Sequence, residues 1–182
     1  MPTVVVPFRG ENAKQRLAPL PEAARAALAE AMLVDVLAAA ESVGPTIVAR
    51  ENGQGEAVEA ALRGIEPGPI LIVNADLPCA RPRDLLALLG AMPERGVAIV
   101  EAPDGTTNAL ALSATHLFAP VYGPGSAERF RARAERLGAA FVSADVPGLA
   151  ADVDTLADFE RLEGRLGPHT AAALDGLRAA SP

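Results

Sequence analysis

The sequence predicts an α/β fold, a three-layer α/β/α arrangement around a mostly parallel sheet. Three observations carry this. Short apolar runs rich in β-branched residues alternate along the chain with Ala/Leu-rich helical stretches. The runs are continuous rather than alternating, the pattern of strands covered on both faces. Polar loops bearing Gly, Pro and charged residues follow the first three runs, and such loops gather beyond the carboxyl ends of parallel strands.

The elements follow in order. Thr3–Phe8 (TVVVPF) is a buried strand, and Arg9–Pro21 a polar loop. Glu22–Glu41 is a helix stopped by Gly44 and Pro45. Thr46–Arg50 is a short strand, Glu51–Gly55 a glycine-bearing loop and Glu56–Arg63 a helix. Pro69–Asn74 (PILIVN) is the most hydrophobic strand, with Ala75–Pro78 immediately after it. Arg83–Leu89 is a helix, Gly96–Glu101 and Asn108–Leu112 are strands, and Gly123–Ser126 is a turn opening the helix Ala127–Leu137. Ala140–Ser143 is a last strand. Thr155–Leu166, capped by Asp154 or Thr155, and Thr170–Ala180 are helices.

Composition narrows the function. A length of 182 residues, half of them apolar, fits one domain over residues 1–182 with a real core. The net charge of −7 argues against nucleic acid as a partner. Cys79 is the only cysteine, so an internal disulfide framework and a cysteine-rich zinc site are excluded. No apolar stretch approaches a membrane span, and the start shows no secretory pattern. A cytoplasmic enzyme, free of membrane and acting as a monomer or homodimer, is expected.

Local charge then points to anions. Arg9, Lys14 and Arg16 place three cations within eight residues after the first strand. Such a loop can bind phosphate through cations and backbone N–H groups together, although the GxxxxGK[ST] pattern is absent. Lys14 is the only lysine among sixteen basic residues. Either codon preference spared it by chance, or the position requires a compact ammonium. Asp76, just past the third strand, is placed to hold a hard cation, with Asn74 assisting through its carbonyl, or to cap a turn. Asp152 and Asp154 form a period-two pair whose carboxylates share one face. His116, His169 and Cys79 have no catalytic companions in sequence, and Ser126 lies in GPGS rather than a nucleophile elbow. A hydrolase triad is not indicated. Charge neutralisation and positioning suffice when the substrate brings an ionised nucleophile.

Together these segments resemble the nucleotidyltransferase fold of sugar-nucleotide synthases and molybdenum-cofactor guanylyltransferases, a Rossmann-like sheet of the nucleotide-diphospho-sugar transferase type. The marks are VVVPFRGENAKQRL, NADLP and DVDTLADF. Lys14–Leu17 (KQRL), Glu51–Gly55 (ENGQG), Asp104–Leu110 (DGTTNAL) and Tyr122–Ser126 (YGPGS) resemble, more narrowly, the 2-phospho-L-lactate or phosphoenolpyruvate guanylyltransferases of coenzyme F-420 biosynthesis. The resemblance runs through roughly residues 3 to 162. It implies transfer of GMP from GTP to a phosphorylated three-carbon acid (phosphoenolpyruvate, 2-phospho-L-lactate or 3-phosphoglycerate) with Mg²⁺ as cofactor and release of pyrophosphate. It implies Lys14, Arg16 and Asp76 as catalytic groups. Pro7, Arg9, Lys14, Arg16, Gly53, Gln54 and Gly55 fall at nucleotide-binding positions. Thr107, Asn108, Gly123 and Ser126 fall where the acid binds, and Asp76 and Asp154 where the metal binds. The segment between Thr46 and Gly55 is shorter than in that family. Another nucleotidyltransferase of the same fold, using the molybdenum cofactor or a sugar phosphate, is the alternative, with a non-catalytic nucleotide-binding relative a third.

Overall fold

The computed structural model describes residues 1–9, 17, 20–50 and 53–180. Lys14 and Arg16 lie outside the described residues. Among the described residues six strands form one sheet: β1 (Thr3–Pro7), β2 (Thr46–Ala49), β3 (Ile70–Val73), β4 (Gly96–Glu101), β5 (Thr107–Leu112) and β6 (Ala140–Ser143). Their spatial order is β2-β1-β3-β5-β4-β6. β5 runs antiparallel to both its neighbours, β3 and β4, while the other pairings are parallel. The expected mostly parallel sheet is present, with one reversal. Its cause is local. Only Ala102–Thr106 joins β4 to β5, too short for a parallel crossover. Gly105 turns it with a φ of 79°.

Successive residues of each strand point to opposite faces, and both faces are apolar. Val4 and Val6 of β1 and Leu71 and Val73 of β3 pack beneath α1 (Glu22–Glu41) and α3 (Pro82–Ala91). Val5, Ile70 and Ile72 face the other way, against α2 (Gln54–Leu62) and α4 (Ser126–Arg136). A third cluster, including Leu28, Met32, Val153, Phe159 and Leu174, seats α5 (Leu156–Arg161) and α6 (Pro168–Ala180) beside α1.

Most elements shift by one or two residues at an end, and three of these differences have a clear local cause. α2 starts two residues early, at Gln54, because Gly53 takes a φ of 87° and forms the cap itself. The single helix expected over Thr155–Leu166 ends at Arg161, and Gly164, at φ 79°, turns the chain toward α6. α6 opens at Pro168 rather than Thr170, and its first N–H groups are met from outside. The buried Asp35 carboxylate on α1 accepts the N–H of His169 at 3.1 Å and of Thr170 at 2.8 Å. A charge in the core is thereby satisfied by a helix N-terminus.

Candidate active site

A cleft of about 480 Å³ opens at the carboxyl ends of β1 and β3, within the usual range for small-ligand sites. Pro7, Phe8 and Arg9 line it from β1, Gln54 and Gly55 from α2, and Asn74–Asp76 from β3. Tyr122 and Gly123 line it before α4, and Asp154 before α5.

One backbone bond brings the acidic residues together. The N–H of Val153 donates to the carbonyl of Asp76 at 3.0 Å. Val153 is fully buried among Phe159 and Leu162. Its neighbours Asp152 and Asp154 are only partly buried. One carboxylate oxygen each from Asp76, Asp152 and Asp154 lies within 4.8 Å of the others. The cap of α5 falls to Thr155, whose N–H and hydroxyl both donate to Asp158 at 2.8 and 2.9 Å. Asp154 thus gives only its N–H to Asp158, at 3.1 Å, and its carboxylate stays with the triad.

The triad's electrostatics favour a cation. Burial raises the Asp152 carboxyl above its usual range, and the negative charges of Asp76 and Asp154 push it further up. A hydrogen bond from Asn108 offsets part of this. Three clustered hard oxygens under mutual repulsion can hold a divalent metal ion.

Asp158 shows the opposite balance. Burial raises its carboxyl, but hydrogen bonds from Arg161, the Thr155 backbone and hydroxyl and the Asp154 backbone outweigh it and hold the group at about 2. A depressed folded-state value stabilises the protein above the unfolded-state value. That contribution is lost as pH falls through the folded-state value. Urea midpoints measured between pH 5 and 2 are expected to fall through this window, losing about 1 kcal/mol from this group, since solvent screens its exposed partner Arg161. Asp158→Asn is expected to start lower at pH 5 and to flatten this acid limb.

The other predicted residues divide. Pro7, Arg9, Gln54, Gly55, Gly123, Asp76 and Asp154 line the cleft. Gly53, Thr107, Asn108 and Ser126 do not. Thr107 and Ser126 are buried and bonded to each other, hydroxyl to hydroxyl, at 3.1 Å. Asn108 is buried and donates to the carbonyl of Leu149 at 3.1 Å. The Ser126 N–H is also taken up within the loop: it donates to the carbonyl of Gly123 at 3.0 Å. The acid positions on β5 and α4 therefore support the cleft wall, and Gly123 alone of the four reaches the cavity.

Gly55 also has a packing role. A Cβ there would lie 2.6 Å from Pro120 Cβ and 2.8 Å from its Cα, so the start of α2 and the loop before Tyr122 touch only because the position is glycine. Gly55→Val is expected to push these two walls apart, costing about 1–3 kcal/mol, measurable as a lower denaturant midpoint.

Three further contributors were legible only in part: Asp152 as one of a carboxylate pair, Asn74 as an assisting carbonyl, and Tyr122 only as the start of the YGPGS segment. Asp152 had only the DxD spacing to recommend it, and that spacing also fits a helix cap. Asn74 does not serve through its carbonyl alone. It accepts from Gln54 Nε2 at 2.6 Å and donates to the carbonyl of Thr107 at 3.1 Å, tying α2 to β5 across the end of β3. Tyr122 packs against Phe118 and Phe130, with ring centroids 6.2 and 5.7 Å away. No single-sequence pattern marks such an aromatic.

Comparison places this architecture. The chain superposes on a solved structure described as a nucleotide-diphospho-sugar transferase from Desulfovibrio desulfuricans with a TM-score of 0.75 at 15% identity, covering 97% of this chain and 95% of that one. A nucleotidyl transferase from Methanothermobacter aligns with a TM-score of 0.58 at 18% identity, covering 97% and 99%. No protein-family model matches the chain. With an acidic triad at the strand ends, the fold is that of a nucleotidyltransferase. Sequence relatives narrow the class. The phosphoenolpyruvate guanylyltransferase of Geodermatophilus obscurus is 34% identical over 206 aligned positions, covering 96% of this chain and 94% of the relative. The 2-phospho-L-lactate guanylyltransferase of Halomicrobium mukohataei is 35% identical over 196, covering 97% and 91%. The chain belongs to the phosphoenolpyruvate/2-phospho-L-lactate guanylyltransferase family.

Proposed function

We propose that the protein transfers GMP from GTP to the phosphate of a three-carbon phospho-acid in coenzyme F-420 biosynthesis. Phosphoenolpyruvate, 2-phospho-L-lactate and 3-phosphoglycerate are the candidate acceptors. The observation that carries this reading is the convergence of Asp76, Asp152 and Asp154 in a chain of this family.

A phosphate oxygen of the acid attacks the α-phosphorus of GTP. The bond from that phosphorus to the α,β-bridging oxygen breaks, and pyrophosphate leaves with the electron pair. The attacking oxygen is already ionised, so no protein base is needed. Asp76, Asp152 and Asp154 would hold Mg²⁺, which supplies charge neutralisation to the phosphates when bound. Arg9, at the cleft wall, together with Lys14 and Arg16 grips the triphosphate. Gln54 faces the base, held by Asn74. Gly123 contributes to the acid's side of the cleft.

Pyrophosphate release with Mg²⁺, each of the four nucleoside triphosphates and each candidate acid tests the reading. Release with GTP and one of the acids is expected. Preference for CTP or UTP with a sugar phosphate would favour the alternative nucleotidyltransferase. A thermal shift with GTP and Mg²⁺ but no release would favour a non-catalytic relative, since ligand at a hundred times its Kd stabilises by about 2.7 kcal/mol.

A further inference from the structure

Arg129 on α4 is exposed, yet its guanidinium donates four hydrogen bonds to the carbonyls of one short loop. Nε donates to Val121 at 3.1 Å, Nη2 to Val121 at 2.9 Å and Tyr122 at 3.1 Å, and Nη1 to Pro124 at 2.6 Å. The loop brings Tyr122 and Gly123 to the cleft.

A trans peptide unit sets its N–H opposite its C=O. Drawing the carbonyls of Val121, Tyr122 and Pro124 onto one guanidinium therefore turns the N–H groups of Tyr122, Gly123 and Gly125 away from it. Among the described residues none of these three N–H groups donates a hydrogen bond, whereas those of Val121 and Ser126 donate to Ala119 and Gly123. Gly123 and Gly125 take φ values of 100° and 70°, which let the carbonyls converge. Successive outward N–H groups in such a turn form an anion-binding concavity.

We propose that Arg129 is a positioning residue that aims the Tyr122 and Gly123 N–H groups into the cleft as the pocket for an anionic group of the acid substrate. The inference rests on the proposed reaction for the identity of that anion. Lysine cannot replace it, because its three donors lack the planar fork that spans three carbonyls. Arg133, one turn further along α4, is the matched control. It donates to the carbonyls of Leu117 and His116 at 3.1 and 2.9 Å, and neither residue lines the cleft.

The test measures KM for GTP and for the acid separately. Arg129→Ala and Arg129→Lys are expected to raise KM for the acid at least tenfold and to leave KM for GTP within twofold. Arg133→Ala is expected to change neither. Equal rises for both substrates in the Arg129 variants, or no rise for the acid, would overturn the proposal. A wild-type protein without turnover would defeat the proposed reaction instead. The loop is then read by the Gly123 amide resonance during titration with inorganic phosphate. A saturable shift in the wild type that is lost in Arg129→Ala supports the proposal. No shift in the wild type, or the same shift in both, overturns it.

Discussion

Asp76→Asn is expected to lower kcat by about a thousandfold, since a lost metal ligand removes roughly 4 kcal/mol of transition-state charge stabilisation. Asp154→Asn should behave alike, because the two carboxylates enter the same cleft from β3 and from the start of α5. Steady-state pyrophosphate release at saturating GTP and acid is the measurement. The fold should survive. These side chains are half-buried, outside the apolar clusters, and the Val153–Asp76 link uses backbone atoms only. Asp152→Asn should separate stability from activity. Its carboxyl is raised by burial and by Asp76 and Asp154, so its ionised form is disfavoured in the folded, metal-free protein. The sign follows: that protein loses stability as pH rises from the unfolded-state value through the raised folded-state one. A neutral amide removes the loss. Metal-free Asp152→Asn should therefore melt higher than wild type at pH 7, while gaining less from added Mg²⁺. Wild-type turnover in Asp76→Asn would remove the triad from the mechanism.

Lys14→Ala is expected to cost a hundredfold to a thousandfold in kcat/KM, about 3–4 kcal/mol of lost binding and charge stabilisation. Lys14 is outside the described residues, but the segments around it are anchored at the site. Arg9 lines the cleft, and Leu17 is fully buried in the cluster that contains Met32, which lines the cleft as well. Lys14→Arg should be impaired too, because a planar guanidinium presents different donor geometry from an ammonium. Full activity of Lys14→Arg would show that the single lysine is an accident of codon usage. An unchanged melting temperature in both variants would confine the effect to the site.

The strands and helices were legible because their signals are local and redundant. Glu22–Glu41, Gly96–Glu101 and Ala140–Ser143 match the expected bounds, since each is an uninterrupted run closed by turn residues. The reversal of β5 was not legible as a direction. The gap between the strands expected at Gly96–Glu101 and Asn108–Leu112 is short, but strand order depends on contacts distant in sequence. The acidic site was half legible. Asp76 and Asp154 stand at strand and helix ends, where sequence alone weighs capping against metal binding. Only the Asp158 side chain, by supporting the α5 cap at Thr155, shows that the Asp154 carboxylate is not needed there. Thr107 and Ser126 are placed at the acid by the resemblance alone; their mutual hydrogen bond inside the wall joins residues nineteen apart, which no local pattern reveals. Arg129 carries no sequence signature, since its role lies in four backbone carbonyls that the loop brings to it.

The most direct test of the proposed GMP transfer is product analysis. Wild-type protein is incubated with GTP, Mg²⁺ and a mixture of the three candidate phospho-acids, with Asp76→Asn in parallel, and the products are weighed by mass spectrometry. One new species is expected, of mass equal to GMP plus the acid less water, with stoichiometric pyrophosphate and neither in the Asp76→Asn reaction. Absence of that species with all three acids, or its undiminished formation by Asp76→Asn, would contradict it.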